Sequence, residues 1–466
     1  MELSDLIVLT VPGSADPAVA IAACRAGARG TLDCEYLAES SQIVGALDRL
    51  SRLIPAGRFG VQVSPESLPV VSRWCDQNQV VPGWLILSGG LSVLDPHLES
   101  LKHAGVEFLA EACSITEAMT AVERGVDGII LKGYESGGMI GPDSAFLLVQ
   151  KCHRATAKRS GSIPPFWVRG GIGPNTAAAC RVAGARGVVL DTQTLLTRES
   201  PASEELRKRI LGSDGSETTV LGERLGVPVR LYARADSPAA GELAALEEQW
   251  LLADATENSE DRINRRSEWR QAVQSRVAAE PGSGAWLVGQ DFALTAGLAQ
   301  KSVTVAGLLQ AIVARANQQA DRAATLPPLE PDSPLARSHG TRYPILQGPM
   351  TRVSDTAAFA DAVATAGGLP FLALALFRKA EVERLLAETQ QRLQGKPWGV
   401  GILGFVSPEI RAEQLESVRR YQPPFAIIAG GRPDQAKELE QQGIATYLHV
   451  PSPGLLKIFL KDGARR

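Results

Sequence analysis

Eight short runs of apolar, largely β-branched residues recur through the first 200 positions, and helix-like stretches separate them. The runs are 6–11 (LIVLTV), 30–34 (GTLDC), 59–64 (FGVQVS), 84–88 (WLILS), 106–112 (VEFLAEA), 128–133 (GIILKG), 166–170 (FWVRG) and 187–191 (GVVLD). The stretches 18–27, 94–105 and 114–125 each end in glycine just before the next run, the position of a helix C-cap. Strands that are apolar on both faces and alternate with helices form a parallel sheet covered by helices. Eight such units in about 200 residues predict a compact (β/α)8 barrel. An open doubly wound sheet is the weaker alternative, because nothing signals a reversal of strand order.

Three strands in succession end at Lys132, Arg169 and Leu190, and the chain then enters glycine-rich or polar loops: KGYESGGMIG, RGGIG and DTQTLL. In a parallel α/β protein, a strand that stops at glycine and restarts as a helix offers backbone N–H groups to a phosphate. Gly170, Gly171 and Ile172 are the candidate cradle, with a helix expected to start near Asn175, and Thr192 adds a hydroxyl from the neighbouring loop. The competing reading is a tight turn that needs glycine and binds nothing. Lys132 is placed at the barrel mouth, either as a functional cation or as a lysine whose stem lies along the rim.

After residue 200 the rhythm stops. Residues 201–322 read as a helical appendage, with helices over 204–211, 239–252, 261–279 and 303–320 and a polar segment at 254–266. Residues 323–340 are proline-rich and read as a linker. A second β/α series then occupies 341–466, with strands at 343–348, 369–375, 398–405, 425–431 and 445–450. Five strands do not close an eight-stranded barrel. The expectation is therefore a domain-scale duplication whose second copy is cut short, a half-barrel completed by another chain being the less plain option.

A net charge of -3 argues against a nucleic-acid partner. No apolar run is long enough for a membrane span, and the N-terminus lacks a signal-type segment, so a cytoplasmic location is expected. The six cysteines form no C-x-x-C pair and the five histidines show no ligand spacing, so no metal site is expected.

The loops at 132–141 and 169–173, with 191–197, resemble the nitronate monooxygenase (2-nitropropane dioxygenase) family, which includes flavin-dependent enoyl reductases. Its usual patterns are Q-G-P-M after the first strand, K-G-x-E-A-G-G-H-x-G after the sixth, G-G-I after the seventh and G-T-x-F after the eighth. The second copy carries the first pattern intact as Gln347, Gly348, Pro349 and Met350. The tandem arrangement is similar to the oxidoreductase portion of polyketide-synthase-type multienzymes.

The resemblance implies TIM barrels that bind FMN. Lys132, Gly133, Gly170, Gly171, Ile172 and Thr192 are its implied contacts in the first copy, and the Gln347–Met350 stretch supplies those in the second. It implies hydride delivery to an unsaturated acyl thioester or another small molecule, other multienzyme modules as partners, and a homodimer as one assembly. Three departures stand out in the first copy. Met139 takes the place of the family's acid/base histidine, and a thioether transfers no proton. Asp191 takes the place of a glycine, where a carboxylate repels phosphate. Residues 11–14 (VPGS) stand where Q-G-P-M is expected. No catalytic residue is therefore assigned, and little or no activity is expected of this chain alone. A non-catalytic scaffold and a flavin-free barrel for another phosphorylated metabolite are the rival readings.

Overall fold

The computed structural model describes residues 1–465 other than 38, 91, 158–162, 236, 254–258, 301 and 326–327. The chain divides into two compact units, Met1–Arg322 and Ala323–Arg466. The first is built on a closed parallel barrel. Its strands are β1 (Leu6–Leu9), β2 (Arg29–Asp33), β3 (Gly60–Val63), β4 (Trp84–Leu87), β5 (Glu107–Ala112), β6 (Gly128–Lys132), β8 (Phe166–Arg169) and β9 (Gly187–Leu190), and β9 closes on β1. A two-residue strand, β7 (Gly138–Met139), lies in the loop after β6.

Alternation along each strand sorts its residues. Leu6, Val8, Leu32, Val61, Leu85, Phe108 and Ile129 pack outward against the helices. Ile7, Leu9, Trp84, Ile86, Leu109, Ile130, Trp167 and Val189 fill the barrel. At the C-terminal rim the inward positions turn polar: Asp33, Gln62, Ser88, Lys132, Arg169 and Asp191 are buried, and Glu111 is half-buried with its side chain only 5% exposed. This ring is the floor of the candidate site.

Residues 201–322 are not wholly helical. Helices do cover Glu204–Leu211, Pro238–Ala253, Ser259–Gln274 and Val305–Thr325, but β10 (Thr218–Leu221) and β11 (Val229–Tyr232) form an antiparallel pair, and β11 adds β7 to make a three-stranded sheet. The sequences TTVL and VRLY are β-branched and short, and strand pairing to the β6 loop outweighs the helical character around them. Arg230 secures this sheet: its Nε donates to the Tyr134 carbonyl at 3.0 Å, and its guanidinium lies 4.8 Å from the Tyr134 ring centre. Part of the polar stretch expected at 254–266 lies outside the described residues.

The stretch expected as a linker carries helix at both ends. The helix Val305–Thr325 runs into it, and Pro334–His339 forms a short helix with Ser333 as N-cap, its hydroxyl accepting from the Ala336 N–H. The second unit holds a five-stranded parallel sheet: β12 (Leu346–Gln347), β13 (Leu369–Ala373), β14 (Gly399–Leu403), β15 (Phe425–Ala429) and β16 (Ala445–His449), in sequential order. Among the described residues no helix is long and apolar enough to cross a membrane.

Candidate functional site

The barrel rim holds a chain of ion pairs. Lys132 Nζ donates to Glu111 Oε1 at 2.9 Å, Arg169 Nη1 to Glu111 Oε2 at 2.5 Å, and Arg169 Nε to Asp191 Oδ2 at 3.0 Å. Both cations are almost wholly shielded from solvent, Lys132 at 0% and Arg169 at 2% exposure. Asp33 and Glu35 complete the cluster, with Gln62 donating to Glu35 Oε2 at 2.6 Å. Four carboxylates thus face two cations. Burial raises Glu111, but Lys132 and Arg169 outweigh it and hold this carboxyl below its usual range. Burial, and then the charge of Glu35, push Asp33 up to about 7, and burial likewise raises Glu35.

Lys132 therefore ends its strand inside the barrel, and it presents no free ammonium to a ligand. The reading of a rim lysine open to the mouth is corrected by the Glu111 partner, which sits on the neighbouring strand β5 in register with β6. Asp191 is likewise no bare charge: it accepts from Arg169 and from the Thr192 N–H at 2.6 Å.

The glycine loop after β8 forms the turn that the sequence suggests. Gly170 and Gly171 have φ of +102° and +68°, and a Cβ on Gly170 would lie 2.4 Å from Ser136 Oγ. The following helix is Pro174–Val182. The cradle nevertheless holds a protein carboxylate. Asp291 Oδ2 accepts from the Ile172 N–H at 3.2 Å and from Gln193 Nε2 at 2.8 Å, and Asp291 Oδ1 accepts from Thr192 Oγ1 at 3.1 Å. Burial, then the proximity of Asp191, push Asp291 up to about 7 against these donors. The donors that would take an FMN phosphate are thus spent on Asp291, and the residues present do not fit that group.

The segment carrying Asp291 lies hard against the β6 loop. Gln290 N–H donates to the Glu135 carbonyl at 2.8 Å, and Glu135 Oε2 accepts from the Ala145 N–H at 3.0 Å, so that carboxylate caps a helix. A Cβ on Gly137 would meet the Val288 backbone at 2.6 Å. Gly137→Ala is expected to lower the thermal midpoint of the first unit by several degrees, since about 1 kcal/mol moves a domain of this size by roughly 2–4 °C; an unchanged midpoint in a melting scan would contradict this packing. Gly133 lies at the start of the same loop, its N–H donating to the Arg169 carbonyl at 2.9 Å.

Beside this plugged half, a cavity of about 430 Å³ opens between the rim and the appendage, lined among others by Glu35, Tyr36, Glu111, Cys113, Met139 and Arg270. Met139 pairs with Val229 through β7 and β11, and its N–H donates to the Tyr36 hydroxyl at 3.3 Å. Burial pushes the Cys113 thiol up to about 12, so it offers no thiolate. The sequence reading singled out neither Asp33, Glu35, Tyr36, Gln62, Glu111 nor Asp291. Asp33, Glu35, Gln62 and Glu111 share one parity along their strands, which marks them out once the closed barrel fixes the inward face, whereas Tyr36 has the opposite parity to Asp33 and Glu35. Asp291 has no local signal.

The second unit carries the other candidate residues. Gln347 closes β12, and its Oε1 accepts from the Phe371 N–H at 3.2 Å. Gly348 and Met350 are exposed, Pro349 is half-buried, and the Met350 N–H donates to Ser354 Oγ at 2.7 Å. A Cβ on Gly401 would meet the Pro349 ring at 2.2 Å, so this loop folds over the end of β14.

A family model described as nitronate monooxygenase matches residues 88–312. Among curated proteins, a 5-hydroxy-7a-methyl-1-oxo-octahydro-1H-indene-4-carboxyl-CoA dehydrogenase of Mycobacterium tuberculosis is 28% identical over 174 residues, 37% of this chain and 48% of that protein. A probable nitronate monooxygenase of Staphylococcus aureus is 31% identical over 128 residues, 26% of this chain and 36% of that protein. The chain thus spans about a third to a half of the length of these relatives. Among solved structures, FabK from Thermotoga maritima aligns with a TM-score of 0.52 at 21% identity, over 68% of this chain and 94% of that one. The enoyl reductase domain of MlnA from the macrolactin biosynthesis cluster of Bacillus amyloliquefaciens aligns with a TM-score of 0.52 at 12% identity, over 69% and 96%. At these identities the structural likeness shows the fold alone.

Proposed function

We propose, from the match of residues 88–312 to the nitronate monooxygenase family model, that this chain is part of an oxidoreductase of the nitronate monooxygenase/enoyl reductase type in which the first barrel carries no redox chemistry. The observation that carries the reading is the pinned rim: Lys132 and Arg169 are both shielded and both held by Glu111. A cation free to face the N1–C2 edge would stabilise a reduced flavin, and here both cations are engaged with Glu111; a proton donor is missing as well at Met139, which has none to give. The barrel is then a structural member of a tandem protein, and FMN-dependent chemistry belongs to the second copy with its Gln347, Gly348, Pro349 and Met350. An acyl thioester is the substrate class, supported by the carboxyl-CoA dehydrogenase name of one relative. A multienzyme setting is supported by the enoyl reductase domain of a biosynthetic cluster.

The purified chain tests this directly. It is expected to be colourless in the visible range and to stay so after incubation with excess FMN and gel filtration. One equivalent of flavin retained per chain, and still retained when Gln347 and Met350 of the second copy are replaced by alanine, overturns the reading.

A further inference from the structure

We infer that Asp291 is the resident occupant of a latent phosphate site: its carboxyl group takes the place of a phosphate monoester on the first barrel, and the cradle regains anion binding when that side chain is removed. The inference rests on the reading of a flavin-free barrel and extends it to the cause.

Three donors converge on the Asp291 carboxylate, and they come from two loops, the Ile172 N–H after β8 and the Thr192 and Gln193 side chains after β9. The two side-chain donors are buried, Thr192 at 3% and Gln193 at 1% exposure. Apart from the Ile172 N–H, the neighbouring backbone groups of the two loops are bonded without Asp291. Gly173 N–H is satisfied by Thr176 Oγ1 at 2.6 Å, and Leu195 N–H by the Thr192 carbonyl at 3.1 Å. Without Asp291 the Ile172 N–H and the Thr192 hydroxyl lose the acceptor they have here, and Gln193 Nε2 keeps only the Ile172 carbonyl at 2.9 Å, which is costly unless an anion replaces the carboxyl group. Such a set of N–H and O–H groups beside a helix start is the donor chemistry that takes phosphate.

The carboxylate is delivered by a rigid segment rather than by a flexible tail. Trp286, Val288 and Phe292 around it are completely buried. Thr295 Oγ1, just beyond, donates to the Thr192 carbonyl at 3.2 Å. An anion held in place by the fold loses no translational freedom on binding, so free phosphate competes poorly with it. Asp191 lies close enough to raise Asp291, but its own oxygens accept from Arg169 and from the Thr192 N–H. The group that fills the cradle is therefore the Asp291 side chain.

Inorganic phosphate is the probe, titrated against the full chain by calorimetry at fixed ionic strength. Wild type is expected to show no saturable binding. Asp291→Gly and Asp291→Ala, which empty the cradle, are expected to bind phosphate at least tenfold more tightly than wild type and to gain thermal stability from it. Asp291→Asn removes the charge but keeps the cradle filled, and is expected to behave as wild type. Folded Gly and Ala variants that bind no better than wild type overturn the inference, as does equal gain in the Asn variant, which would make charge rather than occupancy the barrier. Flavin content of the wild type reports separately on the redox-free reading. A colourless wild type with unresponsive variants therefore removes only this inference.

Discussion

Glu111→Gln is expected to destabilise the first unit by about 3–5 kcal/mol, the cost of leaving buried charge without its partner. Among the described residues Glu111 is the one carboxylate that touches both rim cations, at 2.9 Å from Lys132 and 2.5 Å from Arg169. Its removal leaves Lys132, which is fully shielded, facing a neutral amide, while Arg169 keeps Asp191. Six of the seven tryptophans lie in the first unit and only Trp398 in the second, so tryptophan fluorescence in a urea titration reads mainly the first unit. The midpoint should fall with little change in slope. Adding Lys132→Met to the same variant should restore part of the loss, because an apolar side chain of similar length needs no counter-charge. A single variant within about 1 kcal/mol of wild type, the range of exposed pairs, would show that the rim network does not hold the barrel mouth.

The barrel was legible because each parallel strand is buried on both faces and so reads as an unbroken apolar run. The same property hid the rim. Asp33, Gln62 and Glu111 sit at or near strand ends, where a lone polar residue reads as the start of a loop, and Asp191 stands out only as a departure in the loop after β9. Only the closed topology shows that all of them point inward. Lys132 and Arg169 were seen as strand ends, but a cation at a strand end carries no sign of whether a carboxylate waits on the next strand. The turn at Gly170 and Gly171 was legible from its glycines. Its occupant was not, since Asp291 lies 119 residues beyond Ile172 in a stretch without β/α rhythm. The hairpin of β10 and β11 was missed for a related reason: two four-residue strands gain their stability by pairing with each other and with Met139 and Gly138, not from local propensity.

The buried carboxyls also set how stability responds to pH. Asp33 and Asp291 both rise from 3.8 to about 7 on folding. Between these values the native state binds more protons than the unfolded chain, so stability falls as pH rises through this range. Their contribution is complete below the ordinary carboxyl range and is lost as pH climbs through about 7. Glu111 acts with the opposite sign. Its carboxyl is held down by Lys132 and Arg169, so its contribution is present above the usual range and is lost as acid protonates it. The two trends place the stability maximum on the acid side of neutrality. The thermal midpoint followed by tryptophan fluorescence at fixed ionic strength should fall steadily from about pH 5 to about pH 8. Asp291→Asn should flatten that fall, because an amide has no proton to release, and Asp33→Asn should do the same independently. A wild-type midpoint that rises over this interval would mean that these two carboxyls are ionised in the native barrel. The Asp291 carboxylate would then hold a full charge on the Ile172, Thr192 and Gln193 donors at neutral pH, and the negative potential at the cradle would be stronger than its buried setting implies.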